Sequence, residues 1–282
     1  RRTGKESYAG FLGGISVMLE YGFMRNAIFA VLIITPLFGM LGTTIISRKM
    51  AFFSDALGHS ALTGIAVGIV FGISDTNLSM VLFAAAFALL LNYISSRSGT
   101  SADTIISVFS SCSVAVGLAI LSRGGNFSRY SSLLVGDILS ISQREIVYLL
   151  VLFVVTFVFY VVCFNGLSAA GIHRTLAASR QIPVSLLENL FAVVTALIVT
   201  LSIKWVGILI INALLILPAA ASRNISENLR EYHFFSVLFS VFSGITGLFV
   251  SYYINVATGP AIVIVASVLY FATYLYGRMN QR

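Results

Sequence analysis

Ser54-Asp55-Ala56-Leu57-Gly58-His59-Ser60-Ala61-Leu62-Thr63-Gly64 places a carboxylate and an imidazole at the mouth of an otherwise apolar segment that runs to about Ile73. Read as a helix at 100° per residue, Asp55 and His59 are i,i+4 neighbours on one face, and Leu62, Thr63 and Ala66 continue the stripe. The two side chains therefore have the spacing to point at one ion. Gly64, Gly68 and Gly72 recur every four residues roughly opposite Asp55, with Ala61 beside them, a small-xxx-small pattern that lets helices approach closely in a membrane. One face is built to pack and the other to offer ligands. The plainer reading of an acid at a helix entrance is a charge favoured by the helix dipole, and that of a lone histidine a satisfied interior residue. From the residues alone, both readings stand.

The surrounding chain sets the solvent. Of 282 residues, 58% are hydrophobic and 10% charged, and the mean hydropathy is +0.98. A soluble domain with a polar shell is excluded. The apolar runs are continuous over about 20 residues, without the alternation of a membrane barrel, so the spans are helical. The expected fold is all-α: a polytopic helical membrane protein of eight or nine transmembrane helices in one bundle, some of them short or broken. The net charge of +7, from 17 basic and 10 acidic residues, is spread over short connections rather than gathered in a patch. Lipid headgroup contact explains it and nucleic-acid binding does not. Cys112 and Cys163 fall inside apolar segments and read as small hydrophobes. Arg1–Lys5 lacks an initiator methionine and no apolar core with a cleavage site follows, so we read a trimmed or tagged start rather than a signal peptide.

In chain order, residues 1–26 form a first unit, with 7–24 suiting an amphipathic helix at the interface. The transmembrane domain occupies 27–282. Spans are expected at about 27–47, with Pro36 and Gly39 as kink points, at 52–73, at 78–95 and from Ser101 to about 121. Asp103 reads as an ordinary acid of a first helical turn. Gly124-Gly125-Asn126 reads as a turn, and Ser131–Leu139 as a partly inserted or interfacial helix too short to span. A very apolar span at 145–164 precedes the longest polar interruption, Asn165 to Pro183, which carries His173, Arg174 and Arg180 and is a candidate docking surface. Beyond it come a helix at 184–203, an interruption at Lys204–Gly207, and an apolar piece from Ile208 to Ala221 containing Asn212 and Pro218. That piece reads as a short or broken span of the kind that borders a cavity. Asn212 has two readings, path lining or the commoner interhelical hydrogen bond. Two spans, 234–254 and 259–277, close the chain. Charge barely orients the bundle: with the Arg48/Lys49 connection inside, nine Lys/Arg lie on that side and eight on the other.

No GxxxxGK[ST], GxSxG or HExxH occurs, so the chain has no phosphate-cradling loop and no recognisable enzyme chemistry. Arg48-Lys49-Met50-Ala51-Phe52-Phe53 leading into the stretch quoted above closely resembles the signature of the membrane subunits of zinc, manganese and iron ABC importers, R-x-M…D-A-L-x-H-x-x-L-x-G. Ala102-Asp103-Thr104, Ser132–Leu139, Val206–Leu209 through Leu217–Ala221, and Gly259–Val263 are similar to further landmarks of that family in the same order, over roughly residues 20–278. Two positions depart from it. Thr63 stands where proline is frequent, and His173-Arg174 where an acidic pair is usual.

The resemblance implies a homodimeric permease in the bacterial cytoplasmic membrane. Its partners would be two cytoplasmic ATPase subunits, which bind the ATP, and an extracytoplasmic metal-binding protein that delivers the ion. It implies no resident cofactor and Asp55 and His59 as ligands of transported Zn²⁺ or Mn²⁺, with iron also possible; Thr63 and Asn212 are candidates for pathway lining, and Arg174, Arg180, Gln181 and Pro183 on the 165–185 loop are candidates for ATPase docking. Imidazole and carboxylate suit these metals alike. A stand-alone channel or ion-coupled secondary carrier is the alternative; it usually shows inverted repeats or charges deep in several spans, which we do not find here. A membrane metalloenzyme would need a third convergent ligand and a base.

Overall fold

The computed structural model describes residues 20–73, 75–97, 100–123 and 132–280. The described chain is helical: α1 Gly22–Ser47, α2 Phe53–Val70, α3 Thr76–Arg97, α4 Ala102–Arg123, the short α5 Ser132–Val135 with a 3₁₀ turn at Ile138–Ser140, α6 Gln143–Ile172, α7 Arg174–Ser179, α8 Val184–Val206, α9 Ile208–Arg223, α10 Leu229–Ile254 and α11 Thr258–Asn280. Eight of these helices are long and apolar enough to cross a membrane. With 16 residues, α9 is about 24 Å long, short of the ~30 Å hydrocarbon core. Counting α9 as the short span gives the eight-or-nine expected. The interfacial helix expected over 7–24 falls largely on residues outside those described, as does the turn at Gly124–Asn126.

Beside an apolar core that includes Phe38, Leu41 and Phe53, small residues and serine hydroxyls bring the helices into close contact, as expected where lipid tails are as apolar as the core. α1 carries Pro36 inside the helix, and α10 hydrogen-bonds to its backbone carbonyls across the seam. Ser240 donates to the carbonyl of Thr35 at 2.6 Å and Ser236 to that of Gly39 at 2.7 Å. A Cβ on Gly39 would stand 2.9 Å from Ser236 O, so the backbones nearly touch. The same logic joins α2 to α3. Ser79 donates to Gly64 O, and Gly64 and Gly68 both lie against Ser79 or Met80. Gly72 is not part of this face. It adopts φ +69° with open space around it, letting Ile73 N–H return to Gly68 O at 2.9 Å as a left-handed residue past the end of α2.

Two elements differ from the sequence expectation. First, α6 does not stop near residue 164 but runs 30 residues to Ile172. It starts from a capping box in which Ser142 and Glu145 satisfy each other's backbone donors. Most of the expected polar interruption is therefore helix, and the exposed turn shrinks to α7 and Arg180–Pro183. Second, Lys204–Gly207 is crossed by another segment. Gly207 at φ +90° and Gly136 at φ +70° face each other so closely that a Cβ on Gly207 would lie 2.3 Å from the carbonyl carbon of Val135. Asp137 N–H donates to Lys204 O at 3.3 Å, and Lys204 pairs with Glu145. The α5 segment thus packs over the α8–α9 junction where α9 falls short.

Candidate functional site

Asp55 sits in the first turn of α2, where its charge meets the positive end of the helix dipole. His59 follows one turn later, with Nε2 3.6 Å from Asp55 Oδ2. Both side chains are partly open, His59 at 25% and Asp55 at 37% relative exposure, whereas the opposite side of the helix is buried. Gly58 flanks the pair, and its absent side chain lets α2 lie against Ile208 and Ile211 of α9 beside that open face. Asp55 and His59 open into a recess of about 590 Å³ whose far wall is α4: Ile106, Ser107, Ser110, Ser111, Val114, Ala115 and Leu118. A carboxylate and an imidazole on one side and a row of hydroxyls on the other therefore line one recess. This is the donor set of a hard-to-borderline divalent cation and not of a soft one. Among the described residues, no group of three or more His, Cys, Asp or Glu converges.

The other sequence candidates separate. Thr63 is buried at 2% and lies in the α2–α4 seam. It donates to Ser113 O at 2.5 Å and accepts from Ser113 Oγ at 2.9 Å, while Gly117 makes room for it. The structure thus sets Thr63 behind the recess and not on its wall. Asn212 accepts a hydrogen bond from Ser54 Oγ, tying α9 to the first turn of α2, which is the interhelical role. Arg174, Arg180, Gln181 and Pro183 come together as exposed residues around α7. Gln181 turns the chain at φ +60°, and Ala177 and Val184 anchor α7 with Ala170 in a small apolar cluster of its own.

Sequence reading missed two features. The α4 hydroxyls Ser107 and Ser111 gave only a polar tint to an apolar span. Glu188, an acid inside α8 that is 9% exposed, has its partners far away in the chain. Its Oε2 lies 3.0 Å from Arg174 Nη2 and its Oε1 lies 3.6 Å from Arg48 Nη1. Arg48 also lies over the Phe191 ring at 5.5 Å. Burial lowers the guanidinium pKa of Arg48, the Glu188 charge opposes that shift, and the Arg174 charge adds to it. An unpartnered ionisable residue in an apolar span was the available signal.

The sequence profile of the ABC 3 transport family matches residues 20–277. The chain belongs to this family. The match spans the landmarks from Arg48–Gly64 to Gly259–Val263. Among curated proteins, the chain is 24% identical over 266 residues to the manganese transport system membrane protein MntC of Listeria innocua, an alignment covering 94% of each. It is 30% identical over 236 residues to the high-affinity zinc uptake system membrane protein ZnuB of Buchnera aphidicola, covering 82% of this chain and 89% of that one. The solved structure of PsaBC from Streptococcus pneumoniae in complex with Fab aligns with a TM-score of 0.80 at 26% identity over 95% of both chains. An ABC 3 chain of this make-up is a multi-pass membrane permease, and ATP hydrolysis resides in a separate subunit.

Proposed function

We propose that this ABC 3 permease carries Mn²⁺ or Zn²⁺ into the cell, with Asp55 and His59 as transient ligands of the ion. The observation that carries the reading is the pair itself: two metal-type donors one helical turn apart, partly open, on a recess with hydroxyls opposite. The manganese and zinc roles in the relatives' names support the substrate class, and iron shares the same ligand chemistry. Two donors are too few for a four-coordinate ion. A second copy related by a two-fold axis through the recess supplies two more. The α7 turn, on the face where Arg48, Arg97 and Arg223 also lie, is the docking surface for cytoplasmic ATPase subunits, and a metal-binding protein delivers the ion to the opposite face. Binding at the pair is moderate, since an ion held too tightly does not leave.

The test is uptake of radiolabelled Mn²⁺ and Zn²⁺ by the complex reconstituted with its ATPase. Asp55→Ala and His59→Ala each bring uptake to background while the complex still assembles. Undiminished uptake in both variants defeats the ligand assignment, and uptake without ATP would point to a channel or secondary carrier.

A further inference from the structure

Three chain segments converge at Glu188: the end of α1 through Arg48, the first residue of α7 through Arg174, and α8 through Glu188 itself and Phe191. The exposure of the ionic side chains falls inward, from 48% at Arg174 to 11% at Glu188 and 8% at Arg48. One carboxylate thus serves two arginines, an outer one on the docking helix and an inner one at the root of α2. Between Arg48 and α2 there is little slack. Lys49 turns at φ +56°, Met50 N–H returns to Ile45 O at 3.1 Å, and Phe53 N–H bonds Met50 O at 3.0 Å. Whatever displaces Arg48 therefore displaces the turn that carries Asp55.

The cluster is also incompletely bonded. Nε and Nη2 of Arg48 are buried with no hydrogen-bond partner among the described residues, and its approach to Glu188, at 3.6 Å, is an ion pair too long for a hydrogen bond. Buried donors of a charged group left unmade are costly. Arg48, Arg174 and Glu188 share the wall of a recess of about 370 Å³, which gives these side chains room to exchange partners. An under-bonded ion cluster beside open volume is suited to hold two arrangements of similar energy, the requirement for passing a displacement between sites.

We propose that Glu188 is the positioning residue that transmits movement of the docking helix α7, through Arg174 and Arg48, to the ion-binding turn of α2. The assignment rests on the permease reading above. Glu188 touches neither the ion nor the ATPase. Its loss therefore uncouples the two activities instead of abolishing either binding step.

The experiment measures radiolabelled Mn²⁺ or Zn²⁺ uptake and ATP hydrolysis in the same proteoliposomes holding the full complex. In Glu188→Gln, uptake falls at least about fivefold, the low end of a typical coupling between sites, while hydrolysis by the assembled complex persists and the ATP consumed per ion rises. Glu188→Asp, which keeps the charge and shortens the reach, gives an intermediate ratio and decides the matter where Glu188→Gln does not assemble. An unchanged ratio of ATP to ions in these variants, whether both activities survive or both fall together, overturns the proposal. A wild-type complex without ATP-dependent uptake is a separate result, read in the control arm, and overturns the permease reading on which this one stands.

Discussion

At the scale of single residues, the decisive contrast is between Asp55 and His59, which open into the recess, and Thr63, which continues their stripe but is buried against α4. Helical spacing made the Asp55–His59 pair legible, because i,i+4 geometry is local. It could not tell where the stripe passes under α4, since that depends on Gly117 and Ser113 in another helix. Thr63 is therefore a test of which property matters. Thr63→Val keeps the shape and removes the donor to Ser113 O, costing about 1 kcal/mol, the size of an interhelical hydrogen bond in a membrane. The expected outcome is a slightly lower unfolding temperature in detergent with an unchanged half-saturating metal concentration for uptake. A large shift in that concentration would place Thr63 on the pathway after all. The pairing of Glu188 was illegible for a related reason: its partners Arg48 and Arg174 are brought to it by the fold, and no spacing in the sequence predicts them.

At the scale of elements, the sequence located the spans well and misjudged one connection. Hydropathy marks where a helix lies in lipid, but a helix continues into water wherever no breaker stops it. Asn165, Gly166 and Ser168 are polar or small without forbidding helix, so α6 carries through to Ile172. The short α9 was expected from its length. The segment that covers its junction with α8 was recognisable only as something too short to span, because contact between Gly136 and Gly207 is a tertiary fact. Gly207→Ala must accommodate a Cβ 2.3 Å from Val135 at φ +90°. Left-handed strain and overpacking together cost about 2–5 kcal/mol. The expected result is a clear loss of thermal stability of the detergent-solubilised protein. Gly22→Ala, with nothing within 4 Å of the added atom, serves as the control and leaves stability essentially unchanged.

At the scale of the whole molecule, the surfaces differ in what they are made for. The outer face of α6 is a sheet of Val147, Leu150, Val151, Val154, Phe157, Val158 and Val161, suited to acyl chains. The outer face of α4 is as uncovered, yet it interleaves Ser107, Ser111, Cys112 and Ala115 with its apolar residues, and it borders the Asp55–His59 recess. Hydroxyls on an outward helix face are poorly placed against lipid and well placed against water or a second helix. This asymmetry is why the two-fold axis of the proposed dimer belongs at α2 and α4. The proposed pairing also carries a stoichiometry, because two donors from each chain would make one four-coordinate site per pair of chains. A mixed dimer isolated through two different affinity tags, carrying Asp55→Ala and His59→Ala in one protomer only, should therefore lose nearly all uptake, and the unmutated dimer should bind one Mn²⁺ or Zn²⁺ per two chains by equilibrium dialysis. If each chain carried ions by itself, the half-mutated dimer would keep about half of the uptake, a twofold effect that the same assay separates readily from loss.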